Sequence, residues 1–473
     1  MRTTFLFEWK NLIRTPLNIF ILLFFLGTGL YSIYYGTQIT KNQLIVIDNL
    51  ERAYASQINS SFEKFKADTT TKQGRIDFAN VSEPSSVNYL IKPIAICYPN
   101  AFSVLAVGQR DVLPFYKQIS TEKSFTQAYD ADISNPEILV IGNFDLSFVI
   151  INLLPLLMIA LSYNVLSQEK EQGTFSLLAL QSSNPQRVIF YKLLFRILLL
   201  SAFTYALNFI AICVASNIIP VNLSDTLSWL LIVTCYLFFW FAVCYLLISF
   251  QKSSTITAFY MAGCWLLFII VIPSLLNFYI NISHPIGIRA DMASEQRKIE
   301  EDVWGIKPKI LIENFYKYHP EYKTGNLDDT LQYSPRRFVA YYDELERRLS
   351  PIAKDYSDKI KVRNSLMNRL SDFVPTLKAQ KMLNQTGESD LQSFINYDQS
   401  TLLFHEKWQA FIYRFIFNDL ALQPEDYRSF PKYTSGIIAH KYKEIIVGSI
   451  QLIIVAFLLI TARNYIVNNF KNQ

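Results

Sequence analysis

"SQEKEQGTFSLLALQSSNPQRVIFYKLLFR", residues 167–196, is charged at both ends and lies between two long apolar runs. So short a polar interval between such runs reads as a chain that crosses a bilayer, turns in water and crosses back. About twenty apolar residues, rising 1.5 Å each in a helix, span a hydrocarbon core roughly 30 Å thick. Six runs have that length: 17–37, 145–166, 193–216, 226–249, 254–280 and 444–462. Composition agrees, since 51% hydrophobic residues with 36 Phe and 28 Tyr in 473 residues is more than a soluble domain carries. The first run reads as an uncleaved anchor, because no small-residue cleavage site follows it and five more spans come after.

Short loops rich in Lys and Arg stay in the cytoplasm. Arg2, Lys10 and Arg14 precede the first span; Lys170, Arg187, Lys192 and Arg196 lie between the second and third; Lys252 separates the fourth and fifth; Arg463 and Lys471 follow the sixth. The loop 217–225 has no Lys or Arg. The segments 1–16 and 463–473 and the coupling loop 167–192 are therefore expected in the cytoplasm, and 38–144 and 281–443 outside it. The expected fold class is an all-α polytopic membrane protein: six transmembrane helices and two extracytoplasmic insert domains, the second mainly helical.

In the second insert, Ser334 and Ser350 read as helix caps, each followed by a proline (Pro335, Pro351) in a first turn, where a missing N–H costs nothing. Phe338, Tyr341, Tyr342 and Leu345 recur at helical spacing. The aromatic-rich stretch 399–418 is a further helix, too charged at His405, Glu406 and Lys407 for a span, with a re-entrant or surface-lying placement as the alternative. The first insert reads as a helical extension over 41–66 and a polar loop. Irregular structure broken by Pro93, Pro99 and Pro114 then follows.

Several function classes are disfavoured. No Asp, Glu, Lys or Arg occurs in Leu17–Tyr35, Leu146–Gln168, Ile197–Leu223, Leu227–Gln251 or Ser253–Ile288, whereas ion-coupled transporters keep ionisable ligands at mid-membrane. No Gly-x-x-x-x-Gly-Lys-Ser/Thr phosphate cradle is present, so ATP chemistry must belong to a partner. A net charge of +5 spread over both sides of the membrane gives no reason to expect a nucleic-acid partner. Cys213, Cys235, Cys244 and Cys264 sit in spans and Cys97 stands alone outside them, which leaves no disulfide framework. His284, His319, His405 and His440 fit no metal-ligand spacing, and no catalytic residues can be assigned. Asn143 and Asp145 read as caps of the second span, and Pro155 and Pro273 as kinks.

The opening stretch then reads in detail. The second span runs on as helix to about Gln172, and Gly173 supplies a left-handed residue that ends it. Thr174 caps a short helix, "FSLLALQ", with Phe175, Leu177 and Leu178 on its oily side, and Asn184–Pro185 open the next long helix. A short amphipathic helix lying crosswise between two membrane helices can pass a push to both.

Glu169, Glu171, Gly173, Thr174, Leu177, Leu178, Pro185, Arg187 and Lys192 resemble the corresponding motif of ABC-2-type exporter permeases. "YPNAFSVLAVGQRDVLP", the segment from Asn135 to Thr174 and "FVPTLKAQKMLNQTGESDLQSF" resemble a branch of that family with enlarged exterior domains and, often, unknown substrate. The resemblance implies a non-catalytic permease subunit in a bacterial inner membrane, paired with a second copy or a paralogue. A separate P-loop ATPase would hold ATP and Mg and dock on the short helix. The ATPase-coupling residues would then be Glu169, Glu171, Gly173, Thr174, Phe175, Leu178, Pro185 and Arg187. "FLFEWKNLIRTP" would be an interfacial helix lying on the bilayer, with Glu8, Lys10 and Arg14 polar and Phe5, Leu6, Trp9, Leu12 and Ile13 apolar. Substrates differ across the family, so none is implied. The alternative reading is an ATPase-driven scaffold or mechanotransmitter that moves an extracytoplasmic protein partner without carrying a solute.

Overall fold

Among the described residues six helices are long and apolar enough to cross a membrane, which makes the chain a multi-pass membrane protein. The computed structural model describes residues 2–122, 143–181, 185–285, 289–323, 333–436 and 441–471, and it is 79% helical.

Helix α1 (Arg2–Arg14) leads through Thr15 into α2 (Pro16–Lys64), one unbroken helix of 49 residues. At 1.5 Å per residue α2 is about 73 Å long, more than twice what a bilayer core requires. Its first part is the opening span. Its last turns put Tyr54, Ile58 and Phe62 against the core of an extramembrane domain. Short pieces follow, as the prolines dictate: α3 (Lys72–Ser82), α4 (Pro84–Leu90) and a two-stranded antiparallel ribbon of β1 (Ile94–Ile96) and β2 (Tyr116–Gln118).

The second span is α5 (Leu146–Glu171), and the crosswise helix is α6 (Phe175–Gln181). Spans α7 (Pro185–Ser216), α8 (Leu223–Ile248) and α9 (Ser254–Ser283) come next. Between the fifth and last spans lie α10 (Arg289–Trp304), α11 (Pro308–Tyr318), α12 (Pro335–Ser371), α13 (Pro375–Thr386), α14 (Leu391–Phe417) and α15 (Pro424–Arg428). The last span is α16 (Lys441–Lys471). Span α8 is central, with Trp229, Ile232, Tyr236, Trp240 and Cys244 all fully buried. Span α9 is peripheral: 6% of its apolar window is buried in the chain, against 72% for α8.

Pro155 and Pro273 each follow a widened helical turn, Val149–Leu153 and Leu267–Val271. A proline cannot donate to the preceding turn, so carbonyls there need other donors inside a membrane. They find them: Ile151 O accepts Tyr236 OH at 2.7 Å, Asn152 O accepts Trp265 Nε1 at 2.9 Å, and Phe268 O accepts Thr376 Oγ1 at 2.8 Å.

That last bond marks a departure from the expected layout. Parts of both 38–144 and 281–443 pack into the bundle of spans. Ala379, Met382 and Leu383 of α13 share one core with the spans, as do Ala101, Phe102, Val104, Leu105 and Ala106. Gly36 of α2 permits the second intrusion, since a Cβ there would lie 2.0 Å from Val104 O. Conversely, the aromatic helix α14 is not re-entrant: Phe404, Trp408, Ile412 and Phe417 build the extramembrane core with Phe315 and Val339. Ser334 does cap a helix, accepting from Arg337 N at 3.1 Å. Pro351 opens no second helix but lies inside α12, where a proline forfeits one backbone bond and packing of α12 against α11, α10 and α9 carries the helix through.

Candidate functional site: an ionic cluster behind the crosswise helix

Helix α5 is interrupted by a turn at 163–166, and its last segment, Ser167–Glu171, points the charged end of the quoted stretch back toward the bundle. Glu169 pairs with Lys192 of α7 and accepts from the Thr174 hydroxyl. Lys192 Nζ also lies 3.6 Å from Glu8 Oε1, and Arg196 Nε donates to Glu8 Oε2 at 2.9 Å. Arg196 Nη1 donates to Leu161 O at 2.6 Å and Asn164 Oδ1 at 2.8 Å. Two carboxylates and two cations thus neutralise each other. Glu8 is 2% exposed and Lys192 5%, and charges that deep persist only when paired and hydrogen-bonded. The cluster joins α1, α5 and α7.

A second set of contacts reaches α9. Glu171 Oε1 accepts from Ser254 N at 2.7 Å and Oε2 from Ser254 Oγ at 2.8 Å, so the carboxylate holds the first turn of that span. Lys170 Nζ donates to Gln251 Oε1 at 2.7 Å. Between Glu171 and α6 stands Gly173 at φ +73, with open space where a side chain would sit, so its requirement is conformational.

Helix α6 rests on Phe175 and Leu178, both half-buried, and the Lys170 ammonium lies 5.5 Å from the Phe175 ring centroid. Its other face is bare: Leu177 is 58% exposed and Leu180 85%. Leu177 therefore belongs to the outward face, not to the buried oily side with Phe175 and Leu178. Thr174 also departs from its expected role, because its hydroxyl turns back to the main chain and carboxylate of Glu169. Pro185 opens α7 and Arg187 lies exposed in its first turn. Asn184 lies outside the described residues.

Helix α1 keeps an apolar outward face, and two of its residues turn into the bundle. Glu8 faces inward to Lys192 and Arg196, Leu12 is buried, and Leu6, Trp9 and Ile13 are about half exposed; Lys10 and Arg14 are also exposed. Where lipid replaces water, the outward face of a helix is the apolar one. Asn164 and Ser254 are the site residues that sequence reasoning passed over, and Lys192 and Arg196, read there as motif and topology residues, prove to be the cations of the cluster. The available signal was the i, i+4 spacing of Lys192 and Arg196 at the mouth of an apolar span. Among the described residues no three His, Cys, Asp or Glu gather as metal ligands.

Comparison with known families touches a different part of the chain. Residues 292–435 match DUF3526, a domain of unknown function. The DUF3526 region holds most of α10 and all of α11–α15, including α13, which enters the bundle; α6 and the ionic cluster lie outside it. No curated protein matches the chain, and no solved structure does.

Proposed function

We propose that the chain is the membrane subunit of an ATP-binding-cassette export system, driven through α6 by a separate P-loop ATPase that holds the ATP and Mg. The observation that carries this reading is the contrast across one short helix. Thr174, the residue before it, donates to Glu169, which with Lys192 and Glu8 joins α1, α5 and α7, and the neighbouring Glu171 holds the first turn of α9, while Leu177 and Leu180 face outward without cover. A force applied to the bare face reaches four helices at once. The Lys/Arg distribution supports placing this face and both termini in the cytoplasm and the DUF3526 region outside it; the resemblance to ABC-2-type permeases is what supports a bacterial inner membrane. A second copy or a paralogue completes the assembly.

A second reading is favoured by α2. One uninterrupted helix links the membrane to the extramembrane core, so tilting the span swings the domain, and an extracytoplasmic protein partner rather than a solute would receive the motion.

The test is purification in mild detergent followed by identification of the retained ATPase and its turnover. Leu177→Asp and Leu180→Asp should each cut the retained ATPase at least about tenfold, the loss of roughly one buried leucine, without moving the thermal midpoint of the membrane subunit. Failure of the unmodified chain to retain a P-loop ATPase, or full retention by both variants, removes the proposal.

A further inference from the structure

A cleft of about 480 Å³ opens on the side of the bundle opposite α6, between the end of α13, the first half of α14 and the start of α16. The volume lies in the range of small-ligand sites, roughly 300–1,000 Å³. The chemistry of its wall is unusual for a helix surface. One side of α14 builds the aromatic extramembrane core through Tyr397, Phe404 and Trp408. The side lining the cleft carries Gln392, Ser393, Asn396, Gln399 and Ser400, with Gln385 of α13 across from them. A merely solvated face is normally rich in Lys and Glu; this run has neither.

The carboxamides are ordered. Asn364 Nδ2 donates to Gln392 Oε1 at 3.1 Å, and Gln392 Nε2 donates to Asn396 Oδ1 at 3.1 Å. The charged groups of the wall, Asp390, Lys441 and Glu444, are each held by neighbouring side chains. Lys441 Nζ is 2.9 Å from Asp225 Oδ1 and 3.3 Å from Glu388 Oε1. Glu444 Oε2 accepts from Gln385 Nε2 at 2.8 Å and lies 3.8 Å from Lys381 Nζ. Asp390 accepts from Ser393. Among the described residues of the wall, the one cation, Lys441, is engaged, which leaves no free positive charge there for a phosphate or carboxylate. The wall offers instead the amide nitrogen of Asn396, both ends of the exposed Gln399 and, unpartnered among the described residues, Gln385 Oε1, donors and acceptors within one cleft, which suits a ligand with several hydroxyls that donate and accept in turn.

We propose that this cleft binds a neutral, hydroxyl-rich ligand, a sugar. Glu444 begins the descent of α16 into the membrane, which puts the cleft level with lipid headgroups, so the sugar comes either from a soluble glycan or from a glycolipid headgroup. The proposal does not rest on ATPase docking, because no residue of α6 takes part.

The full chain in phosphatidylcholine nanodiscs is applied to an array of neutral glycans, with sulfated and phosphorylated glycans alongside. A second arm compares thermal midpoints in nanodiscs with and without monogalactosyl diacylglycerol. Gln399 is exposed and Asn396 half-buried, so Asn396→Ala and Gln399→Ala leave the fold intact. The expected result is retention of a subset of neutral glycans, or a raised midpoint in the galactolipid discs, with at least a tenfold loss in both variants. Signal in the array identifies a soluble glycan as the source; signal in the galactolipid arm alone identifies a headgroup. No signal in either arm, preference for anionic glycans, or binding unaltered in both variants overturns the proposal.

Discussion

Replacing Glu8 by Gln changes one atom of one residue and removes half of the negative charge in a closed cluster. Glu8 is 2% exposed and receives Arg196 Nε at 2.9 Å and Lys192 Nζ at 3.6 Å. After the change, Glu169 alone faces both cations. Removing one member of a buried pair costs about 3–5 kcal/mol, most of it from the charge left behind. Arg196 keeps the Leu161 and Asn164 oxygens, and the glutamine oxygen still accepts a hydrogen bond, so the cost falls at the lower end, about 3 kcal/mol. That is a shift of roughly 150-fold in the equilibrium between α1 docked and α1 released. Amide hydrogen exchange in nanodiscs, read by mass spectrometry, should show residues 5–13 exchanging faster by about two orders of magnitude with α16 unchanged. Lys10→Ala, at an exposed position of the same helix, should do nothing. The double variant Glu8→Gln/Arg196→Gln leaves Glu169 with Lys192 alone and should recover part of the loss. Unchanged exchange in Glu8→Gln, or strictly additive effects in the double variant, would refute the view that the cluster is a neutral unit that pins α1.

Two further outcomes follow from groups elsewhere in the chain. His405 is 3% exposed in α14, its Nε2 has no partner among the described residues, and burial pushes its pKa down from 6.5 to about 4. The unfolded chain therefore takes up the proton first. The contribution is full above about pH 6.5 and is lost as pH falls toward 4, by about 2 kcal/mol at pH 5 and about 3 at pH 4. His405→Leu should flatten that part of the pH dependence of the thermal midpoint, and an identical slope in the variant would count against it. At Gly173, with φ +73 and open space around it, Ala should cost about 1 kcal/mol, Asn less and Val more. Partner ATPase stimulation should fall in the order Gly, Asn, Ala, Val; equal stimulation by Gly and Val would show that the left-handed turn is not needed.

The sequence by itself determined the six spans, the turn at Gly173 and the cap at Ser334, because each rests on neighbours within one or two helical turns: an apolar length, a glycine, a serine before a proline. Residue type also marked α1 as amphipathic and α14 as rich in aromatics. What it left open is whether an oily face meets lipid or protein. The tertiary structure decided that Trp9 looks outward while Glu8 turns in to residues nearly two hundred positions away, and that the aromatics of α14 meet Phe315 rather than a bilayer. It also decided that α13 enters the bundle, since Thr376 reaches a carbonyl that Pro273 helps to free, at a point 108 residues distant in the chain. Pairings of that kind depend on where separate helices are brought side by side. Local sequence fixes the pieces and their faces, and only packing chooses the partner for each face.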